Sequence, residues 1–135
     1  MGVILDSSEI IALERSRGLV ENLVACREDE PFGISVVTVA ELLHGVERAD
    51  TETRKIRRQA FVEKVIETIP VFPFDIGVAR IYARIWASLI RRGFTVGSHD
   101  LIIAATAISL DYTVITANRR DFEKIEGLRL VVQQA

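Results

Sequence analysis

Short apolar segments that alternate with helical stretches constrain the fold of this chain more than any other feature of it. Strands that are apolar along their length are buried on both faces, and such strands are typical of parallel sheets covered by helices. The pattern therefore predicts a three-layer α/β/α fold with a central parallel sheet, built from residues 1–135 as a single domain. The predicted strands are VIL (3–5), FGISVV (32–37), PVFPF (70–74), YTVIT (112–116) and LRLVV (128–132).

The stretches between the strands show the three- and four-residue spacing of helices, which also predicts the side chains that face the core. The helix that ends near Gly93 should bury Trp86 on its core face and place Tyr82 at a subunit contact. The predicted helices are 7–16, 19–27, 38–49, 51–69, 75–92 and 101–110, with a short helical turn before the last strand. The predicted core faces are Leu42, Leu43 and Val46; Ile56, Phe61, Val65 and Ile69; and Ile76, Ala79, Ala83, Trp86 and Ile90.

Composition excludes several classes of protein. The net charge of -2 gives no overall attraction to nucleic acid, so any such binding must come from local basic patches. A single cysteine, Cys26, excludes an internal disulfide and Cys-rich metal sites, and it fits a reducing compartment. No apolar run approaches the length of a membrane helix, and the first residues lack the pattern of a secretory signal. We therefore expect a cytoplasmic protein with no membrane segment.

Four acidic residues follow the predicted strands at equivalent places. Asp6 follows the first strand, Glu41 lies in the first turn of the helix after the second, Asp100 opens the most apolar helix, and Asp121 follows the fourth strand. The carboxyl ends of parallel strands share one edge of the sheet, where ligands of open α/β folds bind. The sequence therefore predicts that these four carboxylates gather in one cleft.

Each of these residues, taken alone, is also explained by helix capping. The capping alternatives are a Thr38–Glu41 capping box, an Asp6 cap on the helix from Ser7 completed by Glu9, an Asn118 cap with Asp121 at the third helical position, and dipole complementation by Asp100. Capping does not explain why four acids share one edge. Carboxylates that are buried together repel each other, and a divalent cation with a preference for oxygen ligands, Mg²⁺ or Mn²⁺, relieves that repulsion.

Four motifs in order, VILDSS, SVVTVAELLHG, HDLIIAATA and VITANRRDF, give the chain its resemblance to a known family. The sequence resembles PIN-domain ribonucleases along nearly its full length, most closely the VapC-type toxins of type II toxin–antitoxin pairs. The resemblance implies a metal-dependent endoribonuclease that dimerises and is neutralised by a VapB-type antitoxin. In this resemblance Asp6, Glu41, Asp100 and Asp121 hold Mg²⁺ or Mn²⁺, and Ser7, Thr116 and Asn118 line the pocket. Many relatives carry a Pro-Ile pair before the third acid, where this chain has TVGSHD.

Other interpretations of these residues were weighed against a nuclease. A haloacid-dehalogenase-like phosphatase needs a second aspartate where this chain has Ser8, and no Ser-His-Asp or Cys-His arrangement is available. A non-catalytic PIN-like module that binds RNA or a partner is the alternative that stays open. His44 is interpreted as a surface or dimer-contact residue, and His99 either contacts phosphate or fills a loop. The basic residues expected to contact RNA, because they flank the motifs of Asp100 and Asp121, are Arg91, Arg92, Arg119 and Arg120.

Overall fold

The computed structural model describes residues 2–133, which form a five-stranded parallel sheet with helices on both faces. The strand order is β3-β2-β1-β4-β5, and every pair of neighbours is parallel. The predicted three-layer α/β/α class is confirmed. The strands are β1 Val3–Leu5, β2 Phe32–Ser35, β3 Val71–Phe72, β4 Thr113–Thr116 and β5 Arg129–Val132. The helices are α1 Ser7–Arg15, α2 Val20–Ala25, α3 Val36–Glu47, α4 Glu52–Thr68, α5 Ile76–Arg91, α6 Ser98–Leu110 and α7 Arg119–Phe122.

Two separate apolar clusters cover the two faces of the sheet. Successive side chains of a strand point to opposite faces, so β1 supplies Ile4 to one cluster and Val3 and Leu5 to the other. The Ile4 cluster contains the buried side chains of α5 and α6, and the second cluster contains those of α1 to α4. This division explains why the strands are apolar at consecutive positions. No helix within residues 2–133 is long and apolar enough to cross a membrane.

The second strand ends earlier than the sequence predicts. It stops at Ser35, whose side chain accepts a hydrogen bond from the backbone N–H of Val37 at 3.1 Å and so caps α3. The predicted Thr38–Glu41 capping box is therefore wrong: Thr38 Oγ1 is buried without a partner among residues 2–133. Because α3 begins at Val36, Glu41 lies in its second turn and not in its first. The hydroxyl of Ser35 thus leaves Glu41 free of a capping role.

The predicted core face of α5 is also wrong. Its buried side chains are Val78, Ile85 and Leu89, whereas Trp86 is 54% exposed and Ile90 is 64% exposed. The helix carries two apolar stripes, and periodicity alone does not say which of them meets the sheet. Tyr82 lies partly buried against the core. Smaller corrections of the same kind apply to four other side chains predicted inside, which are exposed: Leu43, Ile56, Ile76 and Ala83.

Candidate active site

The first predicted acid lies at the centre of the sheet's carboxyl edge. Asp6 follows β1 directly, its backbone N–H donates to the carbonyl of Ile115 in β4 at 2.9 Å, and its side chain is only 3% exposed. Thr116, at the end of β4, is fully buried beside it. Parallel pairing of β1 with β4 therefore brings together residues that are 110 positions apart in the sequence.

Two hydroxyl groups hold the Asp6 carboxylate in place. Ser8 Oγ donates to Asp6 Oδ2 at 2.8 Å, and Thr116 Oγ1 donates to the same oxygen at 2.7 Å. Each hydroxyl also accepts a backbone N–H, from Ala117 for Ser8 at 3.1 Å and from Asn118 for Thr116 at 2.9 Å. Because each hydroxyl has one hydrogen and gives it to Oδ2, the rotamer of Asp6 is fixed and Oδ1 keeps most of its capacity as an acceptor.

Asp100 carries the strongest sign that the four acids are close together. It is the third residue of α6, and burial raises the pKa of its carboxyl to about 6, with the charges of Asp6, Asp121 and Glu41 adding to the rise. His99 partly offsets this effect. Among residues 2–133 no side chain forms a hydrogen bond or an ion pair with the Asp100 carboxylate. The structure therefore gathers the four predicted acids around Asp100, as the sequence predicts.

The two outer acids are each paired with a nitrogen-bearing side chain. Glu41 Oε1 lies 3.3 Å from His99 Nδ1, and Asp121 Oδ1 lies 3.5 Å from Lys124 Nζ. The sequence left two interpretations of His99, contact with phosphate or a loop position. The structure adds a third, because the ring faces the Glu41 carboxylate. These contacts lie at the rim of the cluster, whereas neither Asp6 nor Asp100 forms an ion pair with a side chain of residues 2–133.

The cluster has an all-carboxylate chemistry that suits a divalent cation, although its side chains are not closed around one point. Within residues 2–133, no three His, Cys, Asp or Glu side chains are placed to enclose a metal ion as they stand. Glu41 and Asp121 are paired with His99 and Lys124, and carboxylates without a cation repel each other. An all-carboxylate donor set is nonetheless the one that hard divalent cations select. Burial, with the charges of Asp6, Asp121 and Glu41, raises the pKa of the Asp100 carboxyl to about 6, and a bound cation would oppose that rise.

Helix capping does not explain most of the predicted site residues. Asp6 and Asn118 do occupy the N-cap positions of α1 and α7, yet neither side chain makes a capping hydrogen bond. The Thr38–Glu41 box is also absent, whereas Asp100 in the first turn of α6 and Asp121 in the first turn of α7 still occupy positions that complement a helix dipole. Helix capping therefore does not account for Asp6, Glu41 or Asp121.

Ser8 is the site residue that sequence reasoning missed. Ser7, which was expected to line the pocket, reaches Asp6 Oδ1 only at 3.4 Å, whereas Ser8 makes the short bond to Oδ2. The signal lay in the helix geometry: side chains in the first turn of a helix tilt back toward its N-terminus, so a serine one place further along α1 points back at Asp6.

The four predicted RNA-binding arginines differ in availability. Arg92 is engaged internally, because its guanidinium donates to the Lys124 carbonyl at 2.8 Å and to Ser88 Oγ at 3.3 Å. Arg119 lies 3.9 Å from a neighbouring glutamate. Arg91 and Arg120 are exposed and have no side-chain partner within residues 2–133. A role in holding RNA therefore fits Arg91 and Arg120 better than Arg92.

Known proteins share this fold and this sequence pattern. The PIN domain family matches residues 3–128. The chain is 40% identical over 134 residues to "Ribonuclease VapC1" of Rickettsia felis, with 97% of this chain and 96% of that protein covered. It is 36% identical over 96 residues to the "tRNA(fMet)-specific endonuclease VapC" of Shigella flexneri, covering 71% and 70% of the two proteins. The DNA-bound VapBC structure from Salmonella typhimurium matches with a TM-score of 0.86 at 29% identity, over 98% of each chain. This chain therefore belongs to the PIN domain family and, within it, to the VapC ribonucleases.

Proposed function

We propose that this protein is an endoribonuclease toxin that hydrolyses phosphodiester bonds of RNA with Mg²⁺ or Mn²⁺ held by Asp6, Glu41, Asp100 and Asp121. The observation that carries the proposal is the convergence of four acids from distant segments on Asp100, whose pKa rises to about 6 with no cation beside it. Perturbed carboxyl groups that gather in a cleft are typical of catalytic sites. The ribonuclease relatives support the same conclusion.

Each part of the site has a distinct task in this proposal. A bound divalent cation supplies an activated water and neutralises charge on the phosphoryl oxygens. Asp6 presents Oδ1 to the cation because Ser8 and Thr116 hold Oδ2. Asp100 is mounted on α6, a helix buried along most of its length, so its carboxylate is held rigidly at the end of the sheet. Glu41 and Asp121, which here pair with His99 and Lys124, would complete the donor set.

Two further proposals concern a protein inhibitor of the toxin and its assembly into a homodimer. We propose that a small VapB-type antitoxin neutralises the toxin, since the structural relatives include VapBC complexes. We also propose a homodimer formed through the outer stripe of α5, where Ile76, Trp86 and Ile90 are 69%, 54% and 64% exposed. Exposed apolar side chains in such a cluster are typical of an interaction surface. An RNA substrate and the single cysteine fit a cytoplasmic setting.

The proposal is tested by incubating the purified protein with total RNA and, separately, with initiator tRNA in Mg²⁺, Mn²⁺ or EDTA. We expect discrete fragments that require the metal. Asp100→Asn should lower the cleavage rate by at least about 100-fold, which corresponds to about 2.7 kcal/mol of lost transition-state stabilisation. Glu67→Gln, which removes one charge from an exposed position of α4, serves as the matched control and should cut normally.

Two results would contradict the proposal. Cleavage that persists in EDTA or in Asp100→Asn would place the chemistry elsewhere. RNA that is bound but never cut, by protein that has taken up Mn²⁺, would favour the alternative of a non-catalytic PIN-like module that binds RNA or a partner.

A further inference from the structure

We propose that the groove between α1, α3 and α4 is the path along which the phosphate backbone of the RNA reaches the carboxylates. The inference rests on the proposed nuclease function and adds a binding surface to it. The groove has a volume of about 960 Å³, and Glu41 and His99 lie among its lining residues. It therefore reaches the acid cluster at Glu41.

The lining of the groove is strongly basic. Six arginines line it, against three acidic residues. Two of these arginines are engaged: Arg54 pairs with Asp50 at 3.0 Å, and Arg58 donates to the Gly45 carbonyl at 2.9 Å. The other four make no side-chain hydrogen bond or ion pair within residues 2–133. These available arginines are Arg15, Arg17, Arg48 and Arg57.

One face of α3 connects the acids to the basic part of the groove. Glu41, His44 and Arg48 follow each other at spacings of three and four residues, so they lie on the same side of the helix. At 1.5 Å per residue, Arg48 lies about 10 Å from Glu41 along the helix axis. A strand whose scissile phosphate is at Glu41 would thus place a neighbouring phosphate near Arg48.

Arg17 occupies a backbone position that normally favours glycine. Helix α1 ends with the Gly18 N–H bonded to the Leu13 carbonyl and the Arg17 N–H bonded to the Glu14 carbonyl, each at 3.0 Å. This is the Schellman arrangement, and it requires the left-handed conformation at residue 17, where φ is +58°. Arginine is strained there, and its exposed side chain gains no burial in return. A requirement for positive charge in the groove explains why residue 17 is arginine and not glycine.

Gly45 is a second position in the groove where the residue type lowers the stability of the fold. It lies inside α3, where glycine weakens a helix, and a Cβ built on it would meet no atom within 4 Å. Packing therefore does not require glycine. Its absence of a side chain leaves room in the groove beside the Arg58 guanidinium, which donates to the Gly45 carbonyl.

An RNA backbone fits this surface better than a protein segment does. The four available arginines outnumber the one lining carboxylate that has no side-chain partner within residues 2–133, that of Glu14, and the lining residues Leu42 and Val62 are buried in the core. A chain of regularly spaced phosphates meets several guanidinium groups at once, and each contact releases a counterion. Binding in the groove should therefore weaken steeply as salt is added.

The test measures binding of a short fluorescent single-stranded RNA of mixed sequence over a range of salt concentrations, in Asp100→Asn protein so that bound RNA is not cut. The double variant Arg48→Ala/Arg57→Ala should lower the slope of log K against log salt by about 1.4, at about 0.7 per lost phosphate contact. Arg80→Ala/Arg84→Ala removes the same charge from exposed positions of α5 outside the groove and should leave the slope unchanged.

Arg17→Gly separates a binding role from a structural one. It relieves the strained backbone, so the Tm should rise by about 2 to 4 °C. RNA binding should weaken at the same time, with a slope reduced by about 0.7. A residue that only supported the fold would not give these opposite effects.

Three results bear on the groove. Equal effects of the groove and control pairs would overturn the proposal, since general electrostatics would then explain them. RNA binding that is unchanged while binding of poly-glutamate is lost would assign the groove to an acidic protein segment, which also overturns it. Cleavage by the wild-type chain, assayed alongside, keeps the two proposals apart: no cleavage contradicts the nuclease, whereas cleavage with an unchanged slope contradicts only the groove.

Discussion

Helices α5 and α6 pack against each other and are both rich in apolar residues, yet they use those residues differently. In α6 the residues from Ile103 to Ala107 are all buried, whereas α5 buries one stripe and exposes another that contains Trp86 and Ile90. The difference shows that apolar content is not a measure of burial. One helix is an internal support, and the other has a core face and a face left for a partner.

The aspartates at the starts of α5 and α6 also have different roles. The Asp75 side chain accepts the backbone N–H of Val78 at 2.9 Å and so caps α5. Asp100, in the first turn of α6, caps nothing and has a raised pKa. Similar residues in similar places thus have opposite effects, since one stabilises its helix and the other is held at a cost for the site.

The largest expected effect on stability comes from comparing two isoleucines, Ile103 in α6 and Ile90 in α5. Ile103→Ala leaves a cavity in a fully buried position of α6 and should lower the free energy of unfolding by about 2 to 5 kcal/mol. Ile90→Ala changes a side chain that is 64% exposed and should alter the stability of the isolated monomer by less than about 0.5 kcal/mol. Denaturant unfolding at low protein concentration measures both values.

The same two variants test whether the outer stripe of α5 forms the dimer interface. If α5 forms the dimer, Ile90→Ala should weaken the rise of Tm with protein concentration, because association stabilises the folded chain. Ile103→Ala should lower the Tm by a similar amount at every concentration. A concentration dependence that Ile90→Ala leaves intact would remove this stripe from the interface.

The next effect, about 1 kcal/mol, has opposite signs at the two aspartates. Asp75→Ala removes a cap and should lower the free energy of unfolding by about 1 kcal/mol. Asp100→Asn removes a repelled charge and should raise it at pH 7 in EDTA by about 1 kcal/mol, after allowance for solvent screening. Destabilisation by both substitutions would contradict the distinction drawn between the two residues.

The pH dependence of the Asp100 effect has a definite direction. The folded-state pKa of about 6 lies above the usual value of 3.8, so the folded chain binds more protons than the unfolded chain between these values. The wild type should therefore lose stability relative to Asp100→Asn as the pH rises from about 4 to about 6, with no further loss above that range. Unfolding curves of the two proteins across this range measure the difference.

The sequence predicted most of the sheet and the convergence of the acids, because both depend on strong patterns. Four of the five strands carry apolar runs, and once the sheet is parallel their carboxyl ends must share an edge. Asp6, Glu41, Asp100 and Asp121 were predicted from their positions after strands or at helix starts, although Glu41 lies in the second turn of α3.

What could not be predicted depended on a choice between equivalent local patterns. Ser35 and Thr38 can both cap α3, and only the end of β2 decides between them. The two apolar stripes of α5 have the same periodicity, so contact with α6 decides which is buried. Likewise, Ser7 and Ser8 differ only in the direction that the first turn of α1 gives them. Each of these choices is made by tertiary structure.

The central claim is that the carboxylates around Asp100 form a site for a divalent cation. It is tested most directly by titrating Mn²⁺ into the metal-free protein while recording Tm for the wild type, Asp100→Asn and the control Glu67→Gln. We predict that the Tm of the wild type and of Glu67→Gln rises with Mn²⁺ concentration and that the Tm of Asp100→Asn, higher at the start, does not. A wild-type Tm that ignores Mn²⁺, or an equal rise in Asp100→Asn, would contradict the claim.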